Sequence, residues 1–167
     1  SYNDLGQLIG KTYGTGSYAI HEKIAYNLQG WTTSKSSEMF DLYLSYDAPS
    51  QKMAAPSYTG NISESLWRHK CLNGNPDSQT ADYRYDYTYD DLSRLKSAES
   101  YYNSRNNLLE KYCERISYDK NGNIVTLNRP GTTSAESQNY IFTYSGNQRT
   151  GETNSGSAYA YDANGNM

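Results

Sequence analysis

The feature that most restricts what this chain can fold into is a recurring unit: a tyrosine followed by Asp or Asn, a short turn containing Gly, and a residue that opens the next strand. Its copies are Tyr2-Asn3-Asp4-Leu5-Gly6-Gln7-Leu8, Tyr26-Asn27-Leu28-Gln29-Gly30-Trp31, Tyr58-Thr59-Gly60-Asn61-Ile62, Tyr89-Asp90-Asp91-Leu92-Ser93-Arg94-Leu95, Tyr118-Asp119-Lys120-Asn121-Gly122-Asn123-Ile124, Tyr144-Ser145-Gly146-Asn147-Gln148 and Tyr161-Asp162-Ala163-Asn164-Gly165-Asn166-Met167. The anchoring tyrosines stand 24, 32, 31, 29, 26 and 17 residues apart. Such a unit cannot bury its own apolar face, so neighbouring copies must pack on one another.

Each copy reads as a β-hairpin. Apolar and aromatic residues alternate with polar ones in Arg115-Ile116-Ser117-Tyr118-Asp119, the period of a strand with one buried face. Asn121-Gly122 then suits the two positive φ values of a type I′ turn, with Ile124 to Leu127 as the return strand. Asp119 and its equivalents can accept hydrogen bonds from turn amides. The same logic covers Asn139 to Tyr144 with Gly146-Asn147, and it places Tyr83, Tyr85, Tyr87 and Tyr89 on one sheet face. Stretches rich in Ser, Asn, Gly, Thr and Pro at 32–37, 73–80, 128–137 and 150–156 read as connecting loops. Leu108 to Tyr112 carries the best, weak helical signal. The expected fold is all-β, a long antiparallel hairpin meander.

Composition decides whether such a chain folds at all. With 19 Tyr against 12 Leu, 7 Ile, 2 Phe and a single Val, aliphatic core formers are scarce among the 167 residues. A net charge of only −3 argues against disorder by self-repulsion. Tyrosine buries aromatic area while its hydroxyl finds a polar partner, so the expected core is amphipathic. No apolar run approaches the roughly 20 residues of a membrane helix, and no Lys/Arg block forms a nucleic-acid footprint. Cys71 and Cys113 lie 42 residues apart with no metal-ligand spacing, which leaves two free thiols or one disulfide open. With Ser1 first and Met167 last, residues 1–167 are expected to be a single repeat region cut from a longer array.

The closest copies, Tyr89 to Leu95, Tyr118 to Ile124 and Tyr161 to Met167, resemble the YD repeats of the Rhs family, and the resemblance spans essentially the whole chain. On it, Tyr89, Asp90 and Arg94, then Tyr118, Asp119, Gly122 and Asn123, then Tyr161, Asp162, Gly165 and Asn166 are the turn-motif residues. The resemblance implies an arc of a curved or spiralling sheet, a wall segment of an exported cell-surface protein of Bacteroides-like bacteria, with no catalysis and no cofactor. The implied partners are flanking repeats of the same protein and a C-terminal toxin domain. Self-association through edge strands at Tyr2 to Lys11 and Tyr159 to Met167 is a further expectation.

Other chemistries fit less well. A glycoside hydrolase needs a carboxylate pair beside aromatic rings. Of Asp86, Asp90, Asp91, Asp119 and Asp162, four occupy or adjoin the repeated turn, where capping explains them. Asp119 to Asn123 has the oxygen-rich look of a calcium loop, but Gly122 stands fourth rather than sixth and Pro130 falls where the bidentate Glu belongs. No metal site is expected. His21 and His69 sit on strand-like segments without a G-x-S-x-G serine, and Gly14-Thr15-Gly16 lacks the Lys-Ser/Thr of a phosphate loop. Trp31 and Trp67 are candidates for stacking on glycans, against the alternative that both indoles pack beside tyrosine rings. A glycan- or partner-binding module is therefore the second functional expectation.

Overall fold

The computed structural model describes residues 1–50, 54–70, 82–102, 107–133, 136–153 and 158–166. The strands are β1 (Gly10–Tyr13), β2 (Ile20–Tyr26), β3 (Thr32–Ser36), β4 (Phe40–Ser45), β5 (Glu64–His69), β6 (Asp82–Tyr89), β7 (Leu95–Tyr102), β8 (Asn107–Leu108), β9 (Glu114–Tyr118), β10 (Ile124–Arg129), β11 (Gln138–Ser145) and β12 (Gln148–Glu152). They pair antiparallel in chain order, with β8 set aside against β7. The chain is an all-β antiparallel meander of hairpins, as its alternation implies. The segment with the helical signal contributes one 3-10 turn, Glu110–Tyr112.

The chain divides into two compact units, Ser1–Tyr87 with Tyr101–Leu108 and Thr88–Ser100 with Leu109–Met167. In the first unit, register sorts side chains cleanly onto two faces. Trp67 stands opposite Leu42 and Tyr83, and Ser65 opposite Leu44 and Tyr85. The other face carries Arg68 opposite Asp41 and Asp82, Leu66 opposite Tyr43 and Arg84, and Glu64 opposite Ser45 and Asp86. One face is aromatic and the other ionic.

Of residues 32–37, expected as a loop, Thr32–Ser36 form β3 instead. Their Ser, Thr and Lys content is poor evidence for a strand, but both backbone edges are satisfied, by Lys23 to Tyr26 on one side and Asp41 to Tyr43 on the other. The Ser36 hydroxyl donates to Asp41 at 2.5 Å and removes the cost of a polar side chain there. Likewise Asn128 and Arg129 close β10, and Thr150 to Glu152 belong to β12. The loop expected at 73–80 and Cys71 lie outside the described residues.

In both units the return strand carries a bulge just after the turn. Tyr26 pairs with Thr32 but Ala25 with Ser34; Tyr118 with Ile124 but Ser117 with Thr126; Tyr144 with Arg149 but Thr143 with Gly151. One extra residue on the return strand re-aims the ladder at the same point of each hairpin.

The apolar interior is thin. Among the described residues, the buried hydrophobic side chains are Ile24, Tyr46, Ala54, Ala98, Tyr101 and Cys113, while Asp41, Ser63, Glu64, Ser65, Arg84, Asp86 and Ser100 are buried polar ones. With so few aliphatic side chains, burial falls on groups that must be paired where they lie.

Candidate functional site

The residues singled out by the sequence meet in one repeated turn. In its fullest form, Asp119 Oδ1 accepts the backbone N–H of Asn121 at 2.9 Å and of Asn123 at 2.8 Å, and Oδ2 accepts the Asn123 side-chain amide at 2.9 Å. The Asp119 N–H donates to the Asn123 carbonyl, and the Gly122 N–H to the Asp119 carbonyl. The same two amide bonds reach Asn3 from Leu5 and Gln7, Asn27 from Gln29 and Trp31, Asp90 from Leu92 and Arg94, and Asp162 from Asn164 and Asn166.

The turn differs from the expected type I′. Gly122 has φ +90°, but Asn121 is not in the left-handed region, and in the fourth copy Ser93 takes the glycine's place at φ +61°. A three-residue loop with one left-handed residue at its end accounts for the single positive φ. Gly146 is also alone in positive φ at its turn.

Within each unit, two further contacts join a copy to its neighbour, and neither is evident from the motif. First, the tyrosine of one copy donates its hydroxyl to the backbone carbonyl just past the preceding turn. Tyr26 reaches Leu8, Tyr46 reaches Thr32, Tyr118 reaches Leu95, Tyr144 reaches Ile124 and Tyr161 reaches Arg149, all at 2.8–2.9 Å. Second, the side chain that ends one turn lies on the left-handed glycine of the next. A Cβ on Gly30 would stand 3.2 Å from Gln7, on Gly60 3.1 Å from Trp31, on Gly122 3.7 Å from Arg94 and on Gly165 3.4 Å from Gln148. Asn123 instead donates to Asn147 at 3.2 Å. Glycine therefore serves these turns through both its φ and its missing side chain.

This geometry corrects the third copy. Tyr58 is 78 % exposed, whereas Tyr46 is 7 % exposed and makes the hydroxyl bond. The anchor is Tyr46-Asp47, and residues 48–59 are inserted between it and Gly60-Asn61. Tyr58 is nearer Gly60 in sequence, but the fold anchors this turn on Tyr46.

Arg94 does three things at once: it bonds Asp90 at 2.6 Å, donates to the Asp119 carbonyl at 3.4 Å and lies over the Tyr118 ring at 4.5 Å. Its hydrogen bond holds the Asp90 carboxyl below the usual range. The side-chain amides of Asn123 and Asn166 do the same for Asp119 and Asp162.

The two tryptophans have different surroundings. Trp31 sits between Gly60 and the Tyr46 ring, 5.0 Å away. Trp67 lies nearly parallel to Tyr83 and Tyr85, at 5.7 and 5.6 Å, and Tyr85 to Tyr87 at 5.9 Å, forming a half-exposed row of rings.

Behind that row lies an ionic cluster. Arg84, fully buried, pairs with Asp86 at 2.9 Å and lies 4.2 Å from the Tyr101 ring centre. Arg68 pairs with Asp82 at 2.9 Å and Lys70 with Asp41 at 2.6 Å. Burial pushes the Asp41 carboxyl up, but its bonds to Lys70 and Ser36 outweigh this and hold it low. The signal for this cluster is present in Asp82-Tyr83-Arg84-Tyr85-Asp86-Tyr87, where charges alternate with rings, yet attention to the rings alone misses it.

Chemistry beyond pairing finds little support in these positions. Asp86 is tied to Arg84, while Asp90, Asp119 and Asp162 are tied into turns. Three surface depressions of about 380, 710 and 390 Å³ are lined respectively by Glu136 as sole carboxylate, by no carboxylate, and by Asp47 alone. Among the described residues no three His, Cys, Asp or Glu side chains converge as metal ligands. His21 pairs with Glu38 at 3.0 Å on exposed surface, and the His69 ring lies tilted at 58° to Phe40 with centroids 5.5 Å apart. Burial pushes the Cys113 thiol up to about 11, so it is an inert core group at neutral pH.

No protein-family model matches the chain, and no curated protein is similar to it in sequence.

Proposed function

We propose that this chain is a non-catalytic scaffold: a segment of β-sheet wall whose repeats are fastened in series. The observation that carries this reading is the double fastening of copy to copy, tyrosine hydroxyl to backbone and turn side chain to glycine. It uses the very groups that catalysis or ligand binding would draw on. The resemblance to YD repeats supports an exported, cell-surface location in a larger Rhs-type shell, with flanking repeats and a C-terminal toxin domain as partners in the same protein. Self-association through the terminal edges expected at Tyr2 to Lys11 and Tyr159 to Met167 belongs to this reading. A strict monomer across a wide concentration range in sedimentation would count against that part.

A second reading has its own observation, the half-exposed Trp67, Tyr83, Tyr85 and Tyr87 row. Rings in a row offer apolar area with hydroxyls at their margins, which suits a glycan surface. A broad glycan array probed with wild type, Trp67→Ala and Trp31→Ala separates the two. The scaffold reading expects no saturable binding. Binding abolished by Trp67→Ala at unchanged stability would replace it with the binding module.

A further inference from the structure

Two of the described turns carry an Asn-Gly step. Asn121-Gly122 and Asn164-Gly165 place an exposed asparagine before glycine, the residue that least hinders attack by its own backbone nitrogen. In that attack the Gly122 nitrogen loses its proton to solvent and bonds to Asn121 Cγ. The Cγ–Nδ2 bond breaks, ammonia leaves and a cyclic imide remains. Water then opens the imide to aspartate or isoaspartate, with no change of oxidation state.

The turn opposes each requirement of this step. The Gly122 N–H is engaged with the Asp119 carbonyl at 3.2 Å, and the Asn121 N–H with Asp119 Oδ1 at 2.9 Å. Residue 121 therefore sits at the third place of a tight turn and cannot bring its own Cγ onto the following nitrogen without opening the loop that Asp119 Oδ1 clamps at the Asn121 and Asn123 amides. Gly165 and Asn164 are held in the same way by Asp162, at 3.0 and 2.8 Å. The described turns of the first unit have Leu5, Gln29 and Thr59 before their glycines and carry no such chemistry.

We propose that Asn121-Gly122 is a latent deamidation site kept closed by the Asp119 side chain. Opening it would insert a backbone methylene and a second carboxylate into the turn that Arg94 and Asn123 fasten to its neighbours. The site would thereby couple chemical ageing to loss of the fastening between repeats.

The test is peptide-mapping mass spectrometry with isoaspartate detection, on whole protein incubated at neutral pH. In Asp119→Ala, Asn121 should deamidate at least about tenfold faster than in wild type, since one hydrogen bond to a charged acceptor is the size of a decade in an equilibrium constant. Asn164 should keep its wild-type rate. Asp119→Asn retains an acceptor oxygen, as Asn3 and Asn27 do, and should restore protection. The proposal fails if Asp119→Ala leaves the Asn121 rate unchanged, or if Asn121 and Asn164 accelerate together, which would mean global unfolding. It also fails if wild type deamidates as fast as an unstructured peptide spanning 117–125.

Discussion

The two units build the same turn on different acceptors. In the first, Asn3 and Asn27 accept the two turn amides; in the second, Asp90, Asp119 and Asp162 do. The bond pattern is unchanged, so the acceptor oxygen and the left-handed residue make the turn and the charge does not. What the charge adds is an ionic partner at the end of one turn, Arg94, where the neutral Asn3 bonds the Gln7 side chain instead. The first unit places its charges instead within a sheet face, where Arg84 is fully buried and Asp41, Glu64 and Asp86 are 3 % exposed. Position therefore sets what each ion pair is worth.

The largest effect should come from breaking that buried arrangement. Arg84→Ala removes the cation from a buried ion pair in the first unit and should cost about 3–5 kcal/mol. In the second unit, Arg115 holds Glu99 through two bonds at 2.9 and 2.8 Å but is itself 39 % exposed. Arg115→Ala should cost no more than about 1 kcal/mol. Urea denaturation of both variants measures the difference, and equal losses would erase the distinction between buried and partly exposed sheet charges.

Glycine substitutions come next. Gly60→Ala and Gly122→Ala both force a side chain to φ +90°, about 1–2 kcal/mol each. At Gly60 the new Cβ also meets the Trp31 indole at 3.1 Å, adding about 1–3 kcal/mol of overpacking, whereas at Gly122 it meets only the mobile end of Arg94 at 3.7 Å. Gly60→Ala should thus be the more damaging in denaturation midpoint. A larger loss at Gly122 would place the tighter fastening in the second unit.

How much of this was legible follows the same division. The hairpins and the Asp119 turn follow from Tyr-Asp-x-Asn-Gly, because alternation and turn chemistry are local. Strand β3 was not legible, because Thr32 to Ser36 are polar and only pairing on both edges makes them a strand. The Tyr46 anchor was hidden by the insertion of residues 48–59. The Trp31–Gly60 and Arg94–Gly122 contacts were invisible for a similar reason, since they join copies about 30 residues apart through space. Arg84 was readable in pattern but not in burial, since an arginine on a strand is ordinarily solvated.

Removing one hydroxyl should have a smaller effect and again an uneven one. Tyr46→Phe leaves the Thr32 carbonyl without its donor at a site 7 % exposed, while Tyr118→Phe strands the Leu95 carbonyl nearer solvent and keeps the Arg94 guanidinium over the ring. Each bond is worth about 1 kcal/mol, with Tyr46 the dearer. Thermal melts that rank them the other way would mean water reaches the Tyr46 site readily.

The subtlest difference between the units is their response to acid. The hydrogen bonds of Arg94, Asn123 and Asn166 hold the carboxyls of Asp90, Asp119 and Asp162 below their ordinary value of 3.8, so the ionised form is favoured in the folded turn. Their contribution is fully present above that value and is lost as pH falls through the lower folded pKa, because protonation then removes acceptor strength from bonds the unfolded chain never had. Asn3 and Asn27 do not titrate, so the first two turns should be indifferent to the same change. Asp41 also loses its contribution in acid, but it acts in β4 and not in a turn. Amide-exchange protection of Leu92, Arg94, Asn121, Asn123, Asn164 and Asn166 should therefore fall on acidification below about pH 4, while that of Leu5, Gln7, Gln29 and Trp31 holds. Replacing all three aspartates by Asn should make the two sets behave alike. Parallel loss of protection in both sets of the wild type would show that acid acts through the ionic face of the first unit and that the turns merely follow.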